Sequence, residues 1–332
     1  MSSRRHGPCL SRRKAGDFLF KYRLAGYFPS AFVTIALLCA VIGCSRPKPD
    51  EAGSRPKSGQ RALIVYSDGL GRKVELPTHP QRIISLAPSV TETLFLLGAG
   101  DRVIGVTTNC DWPDSAKSRA KIGDLLNPNY ELILAAKPDL IIASTAGNDR
   151  TAVLRLSDLG LPVYVTAPRS VEKIFETVEN IGRIADCAGR GEQLVAQMKA
   201  RLDGIRRRLA GLPPTRAFFI TWFDPLLSPG KSTFETDVLR HANVDSITAN
   251  IDEFYPRYSL EQVLARDPDV IITVEHTGSP LPDLRRIAGW KDLRAVKQNR
   301  IYVLKEVFQH PSPRFVDGVE ELARKLHPER FR

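Results

Sequence analysis

The chain has 332 residues, 42% of them apolar and 26% charged, with 48 Lys and Arg against 37 Asp and Glu. That length allows about two domains of ordinary size. A mean hydropathy of −0.19 with a single long apolar run excludes a polytopic membrane protein, and the apolar content excludes a disordered one. Five cysteines are too few for a disulfide scaffold. The net charge of +11 would direct attention to nucleic acid or an anionic surface, but it is unevenly placed.

Within residues 1–43, Arg4, Arg5, Arg12, Arg13, Lys14, Lys21 and Arg23 stand against Asp17 alone. The segment ends in the apolar run Ala31–Gly43. At 1.5 Å per residue this run is about 20 Å long, short for a membrane span and right for the apolar region of a signal peptide. Val41, Ile42, Gly43 and Cys44 resemble the lipobox of bacterial lipoproteins, which makes 1–43 a lipoprotein signal peptide and Cys44 the expected lipidation site. Residues 45–60 contain no large apolar side chain, so 44–60 reads as a flexible tether of roughly 20–25 Å. The expected location is the cell envelope, with the chain exported and held to a membrane by lipid, and no nucleic-acid partner is expected. Cys110 and Cys187 remain as candidates for a disulfide.

From Arg61 short β-rich runs alternate with helical periods, the pattern of parallel sheets covered by helices. Strands are predicted at 83–86, 103–106, 140–143, 162–166 and 217–221, and helices at 90–98, 130–136, 150–159 and 171–185. Between Gly191 and Leu209 the residues Leu194, Val195, Met198, Leu202, Ile205 and Leu209 recur at helical spacing opposite Arg201, Arg206, Arg207 and Arg208. This predicts one long amphipathic helix with a solvated basic face, ended by Pro213 and Pro214. An internal repeat follows. Tyr130–Ile142 matches Leu260–Ile272 at an offset of 130 residues, and Thr91–Ala99 matches Phe234–Ala242 more loosely. The expected fold class is α/β, with two similar lobes of mainly parallel sheet joined by a long rigid helix and a ligand cleft between them. The expected boundaries are an N-terminal lobe at 61–168, linking helices at 169–213 and a C-terminal lobe at 214–332.

In open α/β sheets ligands sit at the carboxyl ends of strands. Those ends fall at 87–89, 107–112, 144–148, 222–225, 275–278 and 305–314, and they read as small, amide and aromatic with few charges. This suits a bulky, partly apolar ligand. Nucleophile elbow, zinc-protease helix, P-loop and C-x-x-C motifs are all missing from the sequence. An envelope metal-dependent hydrolase built on His276, His310, Asp224 and Glu275 is the alternative from another class. Glu131 and Glu261 occupy equivalent helix starts in the repeat, where a carboxylate suits the helix dipole.

Taken together, 82–92, 97–101, 110–113, 127–139 and 312–314 resemble the substrate-binding proteins of cobalamin and ferric-siderophore ABC importers, most closely the cobalamin-binding branch. The resemblance extends over about 62–328, with Tyr66–Pro77 similar to the class's short N-terminal hairpin. It implies little hinge closure and a monomer that delivers its ligand to a permease dimer with its ATPase. It implies no cofactor, since cobalamin or a ferric chelate would be cargo; a siderophore or haem ligand is the alternative within the class. By position, Glu131 and Glu261 match the lobe-tip glutamates that dock on permease arginines. Tyr255, Glu306, Phe308 and His310 match pocket residues, His310 standing where the cobalamin binder has arginine. Aromatic pocket positions of the family correspond to Asn109, Leu125 and Ser144, with Trp112 and Trp222 as compensating aromatics. Pro88 and Ser89 complete the expected lining.

Overall fold

A computed structural model describes residues 62–275 and 281–332. The expected signal peptide, Cys44, the tether and His276 lie outside the described residues. An antiparallel hairpin of β1 (Leu63–Ser67) and β2 (Lys73–Pro77) comes first. Asp68 shapes its turn by accepting the backbone N–H groups of Leu70 at 3.0 Å and Arg72 at 2.9 Å. The first lobe contains β3 (Ile83–Ser85), α1 (Pro88–Leu96), β4 (Val103–Val106), α2 (Asp114–Lys117), β5 (Ala120–Lys121), α3 (Tyr130–Ala136), β6 (Leu140–Ser144), α4 (Arg150–Asp158) and β7 (Val163–Thr166). Two helices follow, α5 (Val171–Ile184) and α6 (Ala188–Leu209). The second lobe contains β8 (Thr215–Ile220), α7 (Phe234–His241), β9 (Val244–Ser246), α8 (Leu260–Arg266), β10 (Val270–Val274), α9 (Arg294–Lys297), β11 (Ile301–Leu304) and α10 (Phe315–Leu326).

Both sheets are parallel throughout, in the orders β5-β4-β3-β6-β7 and β11-β10-β8-β9. The expected fold class of two α/β lobes is what the structure has. Strands β3, β6 and β10 are buried at every position, as parallel strands covered on both faces must be. Strand order reverses between β3 and β6 in one lobe and between β8 and β10 in the other. The crevice therefore belongs outside the carboxyl ends of those four strands.

The repeat is built from one device used twice. Asn129 caps α3 and Ser259 caps α8 through their side chains, and each helix ends in a left-handed residue, Lys137 (φ 44°) or Asp267 (φ 38°). The aspartate of the Pro-Asp stop then fixes the neighbouring strand. Asp139 accepts the Arg82 N–H at 2.7 Å, and Asp269 accepts the Arg216 N–H at 3.1 Å. The same arginines return their guanidinium groups to the preceding helix, Arg82 to the Ala136 carbonyl and Arg216 to the Arg266 carbonyl, each at 2.7 Å.

The connection between lobes is a helix pair, with α6 the longer member. Gly182 and Gly191 let α5 and α6 approach, since a Cβ on Gly191 would lie 3.3 Å from the Val178 carbonyl oxygen. One apolar core runs through the whole assembly, from Leu94 on α1 through Val178 and Leu202 to Phe219 and Phe315. Smaller clusters cover the outer faces of the two sheets. Arg201, expected on a solvated face, instead reaches α10 and pairs with Asp317 at 2.8 Å and Glu320 at 2.9 Å. Among the described residues no helix is long and apolar enough to cross a membrane.

The expected disulfide is not present: Cys110 and Cys187 are both free thiols. The Cys110 sulfur accepts from the Thr91 hydroxyl at 3.1 Å, beyond the carboxyl end of β4. The Cys187 sulfur accepts from Arg102 at 3.2 Å, just before that strand begins. A strand of about 3.3 Å per residue separates the two sites, more than a disulfide spans.

Gly318 in α10 faces the backbone of Phe308, where a Cβ would stand 2.9 Å from the Phe308 Cα. Overpacking against backbone outweighs the helix propensity gained, so Gly318→Ala should cost about 1–2 kcal/mol net. Urea unfolding should show a lower midpoint with an unchanged slope. An unchanged midpoint would mean that the segment carrying Phe308 yields freely.

Candidate ligand-binding site

The crevice between the lobes has two sections, divided by the chain at His310 and Pro311. The first has a cavity volume of about 340 Å³. Its first-lobe wall is Thr145 and Ala146, just beyond β6, and Arg169, beyond β7. Its second-lobe wall is the first turn of α7 with Phe254 and Tyr255. Glu235, in that turn, is only 5% exposed and accepts the Tyr255 hydroxyl at 2.9 Å. Burial pushes the Glu235 carboxyl up, against the hydrogen bonds from its backbone N–H and from Tyr255 that favour its charged form. Burial of the hydroxyl end, with Glu235 beside it, likewise raises the Tyr255 phenol and keeps it a donor. The aromatic residues themselves remain open to the cavity, Phe254 at 51% and Tyr255 at 45% exposure.

The second section, also about 340 Å³, is charged. Trp112, Glu275, Lys305, Glu306, His310 and Arg314 line it together with Glu92 of α1. Glu92 is 2% exposed, and three groups of the second lobe meet it. The Ser312 hydroxyl donates to one oxygen; His310 Nδ1 at 3.0 Å and Arg314 Nη1 at 3.3 Å meet the other. The Arg314 guanidinium also lies 4.2 Å from the Trp112 ring centre. Burial alone would lower the His310 pKa, but the Glu306 and Glu92 carboxylates outweigh it and push the ring up to about 9. A protonated His310 therefore closes the contact between the lobes. The expectation of few charges at the strand ends fails in this section, because those charges are satisfied across the crevice.

The structure sorts the expected lining residues. Tyr255 lines the first section; Trp112, Glu306 and His310 line the second. Phe308 does not reach the crevice: it is fully buried, its ring stacked on Phe219 with centroids 5.7 Å apart. One helical turn at 306–309 rotates it into the shared core. Ser144 is also buried, at 1% exposure, its backbone N–H bonded to Asn148 at 2.9 Å. Pro88, Ser89, Asn109, Leu125 and Trp222 are not among the residues lining these two sections. Trp222 turns its indole N–H onto the Asp224 carbonyl at 2.8 Å. Of the hydrolase set, Glu275 and His310 share the second section while Asp224 does not line it. Among the described residues no three His, Cys, Asp or Glu side chains are placed to hold a metal ion. Glu131 and Glu261 stand exposed in the first turns of α3 and α8.

Sequence reasoning missed Glu92, Glu235, Arg169 and Arg314. A signal for the first two existed, because the looser repeat aligns Thr91-Glu92-Thr93 with Phe234-Glu235-Thr236.

Two parallel α/β lobes around a ligand-sized crevice define a two-lobed solute-binding protein. The chain belongs to the periplasmic binding protein family, whose profile matches residues 83–307. It is 30% identical over 314 residues to YvrC of Bacillus subtilis, an uncharacterized ABC transporter substrate-binding lipoprotein, covering 91% of this chain and 98% of that one. Among solved structures it is similar to the periplasmic vitamin B12 binding protein BtuF of Vibrio cholerae, at 29% identity and a TM-score of 0.67, covering 77% of this chain and all of that one. A periplasmic solute-binding protein of Staphylococcus epidermidis, described as possible iron-binding, matches at 28% identity and a TM-score of 0.67, over 75% of this chain and 99% of that one.

A histidine whose pKa rises from the usual 6.5 to about 9 on folding adds stability that is complete below pH 6.5 and lost as pH rises through 9. For His310 the loss should approach about 3 kcal/mol. Unfolding free energy measured from pH 6 to pH 10 should fall across that window, and His310→Asn should flatten the decline. A wild-type curve that is already flat would exclude the protonated contact.

Proposed function

We propose that the protein is the substrate-binding component of an ABC importer, anchored in the cell envelope through lipid on Cys44. As a monomer it captures a corrinoid in the crevice and hands it to a permease dimer with its ATPase. The observation that carries the ligand reading is the likeness to the vitamin B12 binding protein of V. cholerae, which runs the whole length of that chain. The first section fits such a ligand, offering the open rings of Phe254 and Tyr255 to a large, flat, partly apolar body. Trp112 adds an aromatic ring to the lining of the second section. A ferric chelate is the second reading, favoured by the likeness to the S. epidermidis protein.

The shared core argues for a crevice that moves little when filled, because separating the lobes would open apolar contacts on α5 and α6. Delivery then depends on docking. Glu131 and Glu261 sit at equivalent points of two similar lobes, so a permease built with two-fold symmetry can offer each the same cationic partner.

Two measurements test this reading. Titration with cyanocobalamin should show saturable binding that Tyr255→Ala weakens five- to a hundredfold, roughly 1–3 kcal/mol of lost aromatic contact. Absence of corrinoid binding alongside tight ferric-siderophore binding would move the ligand to the second reading. Replacing both Glu131 and Glu261 with Lys should leave ligand affinity intact while abolishing uptake in cells. Uptake that survives would reduce both glutamates to favourable helix-start residues.

A further inference from the structure

The first crevice section carries three ionisable side chains, Arg169, Glu235 and Tyr255. Two of them satisfy each other, since Glu235 accepts the Tyr255 hydroxyl at 2.9 Å. Arg169 is left over. Its backbone N–H bonds the Ala167 carbonyl at 3.0 Å, which fixes where the side chain departs from the end of β7. Its guanidinium stands 5.7 Å from the ring centre of Phe254, across the crevice on the other lobe. Among the described residues it has no carboxylate or carbonyl partner, whereas Arg314 in the second section is held by Glu92.

Arg169 is exposed, so its guanidinium is open to solvent. A ligand whose apolar body lies on Phe254 and Tyr255 removes that solvent, and a cation stripped of water without an acceptor costs binding energy. The carboxylates of the adjoining cavity that Arg169 also lines, Asp68 and Glu176, are already paired with Arg72 at 2.7 Å and Lys173 at 2.6 Å. We propose that the ligand supplies the acceptor: the first section takes a ligand with a peripheral anionic group, a phosphodiester or carboxylate, which pairs with Arg169 while the body of the ligand stacks on Phe254 and Tyr255. The planar guanidinium, 5.7 Å from the Phe254 ring centre, carries an N–H fork that matches such a group in two parallel hydrogen bonds. Arg169 then sets specificity within a ligand class, separating molecules of one shape by their charge.

The inference rests on the binding-protein reading above, and its test keeps the two apart. Two pairs of probes are titrated into wild-type protein and into R169Q and R169K. Cyanocobalamin carries a phosphodiester that dicyanocobinamide lacks, and haemin carries carboxylates that its dimethyl ester lacks. The expected result is that R169Q weakens the anionic member of one pair about tenfold or more, that R169K recovers most of that loss, and that the uncharged member binds all three proteins alike. Seen in the porphyrin pair alone, this pattern supports the role of Arg169 and overturns the corrinoid reading. If every probe that binds does so with equal affinity to wild type and R169Q, the role of Arg169 is overturned and the ligand assignment stands. Failure of all four probes to bind the wild-type protein overturns the corrinoid reading and, with it, the pairing of Arg169 with a stacked ligand.

Discussion

Glu92 is the one charged residue of α1, and folding takes it almost wholly out of water. A charge in that position must be met by donors, or it costs several kcal/mol. The donors come from Ser312, His310 and Arg314, 218 to 222 residues further along the chain and in the other lobe. That one requirement directs the path of the chain beyond β11. The path brings His310 and Pro311 to the middle of the crevice, divides it into an aromatic section and a charged one, and turns Phe308 toward the core. The crevice therefore takes much of its shape from the solvation of a single side chain.

The two lobes answer the same problem differently. Glu235 holds in α7 the place that Glu92 holds in α1, and it is nearly as buried. Its partner is a neutral phenol instead of two cations and a hydroxyl. With the phenol and its own backbone N–H as neutral donors, burial still raises the Glu235 carboxyl, and the neighbouring space stays open to a ligand. Duplication thus left two acids at related positions, one bracing the lobes and one lining the crevice.

Much of the fold was legible because its devices are local. The helix, Pro-Asp stop and buried strand at 130–142 and 260–272 depend on periodicity and on residues within a few positions of each other. The long stripe from Leu194 to Leu209 likewise declares α6 from its own spacing. The crevice was legible only in outline, since strand ends can be counted but not their side-chain directions. Phe308 follows a strand end, and only the helical turn at 306–309 decides that it faces Phe219. Cys110 and Cys187 were candidates for pairing by number alone, and the length of β4 holds them apart. Glu92 was hidden for a different reason: an acid flanked by threonines reads as a solvent-facing residue until its distant partners are located.

The shared core also bears on how the chain reaches its native state. Phe315, Val316, Val319 and Leu322 of α10 enter the same apolar cluster as Leu94 of α1 and Val178 of α5. The interiors of the two lobes are therefore continuous through the helix pair α5 and α6. Contacts of such long sequence separation form late and slow the search for the native topology. The helix pair in the middle of the chain acts as a keystone, joining two interiors that are far apart in sequence into one.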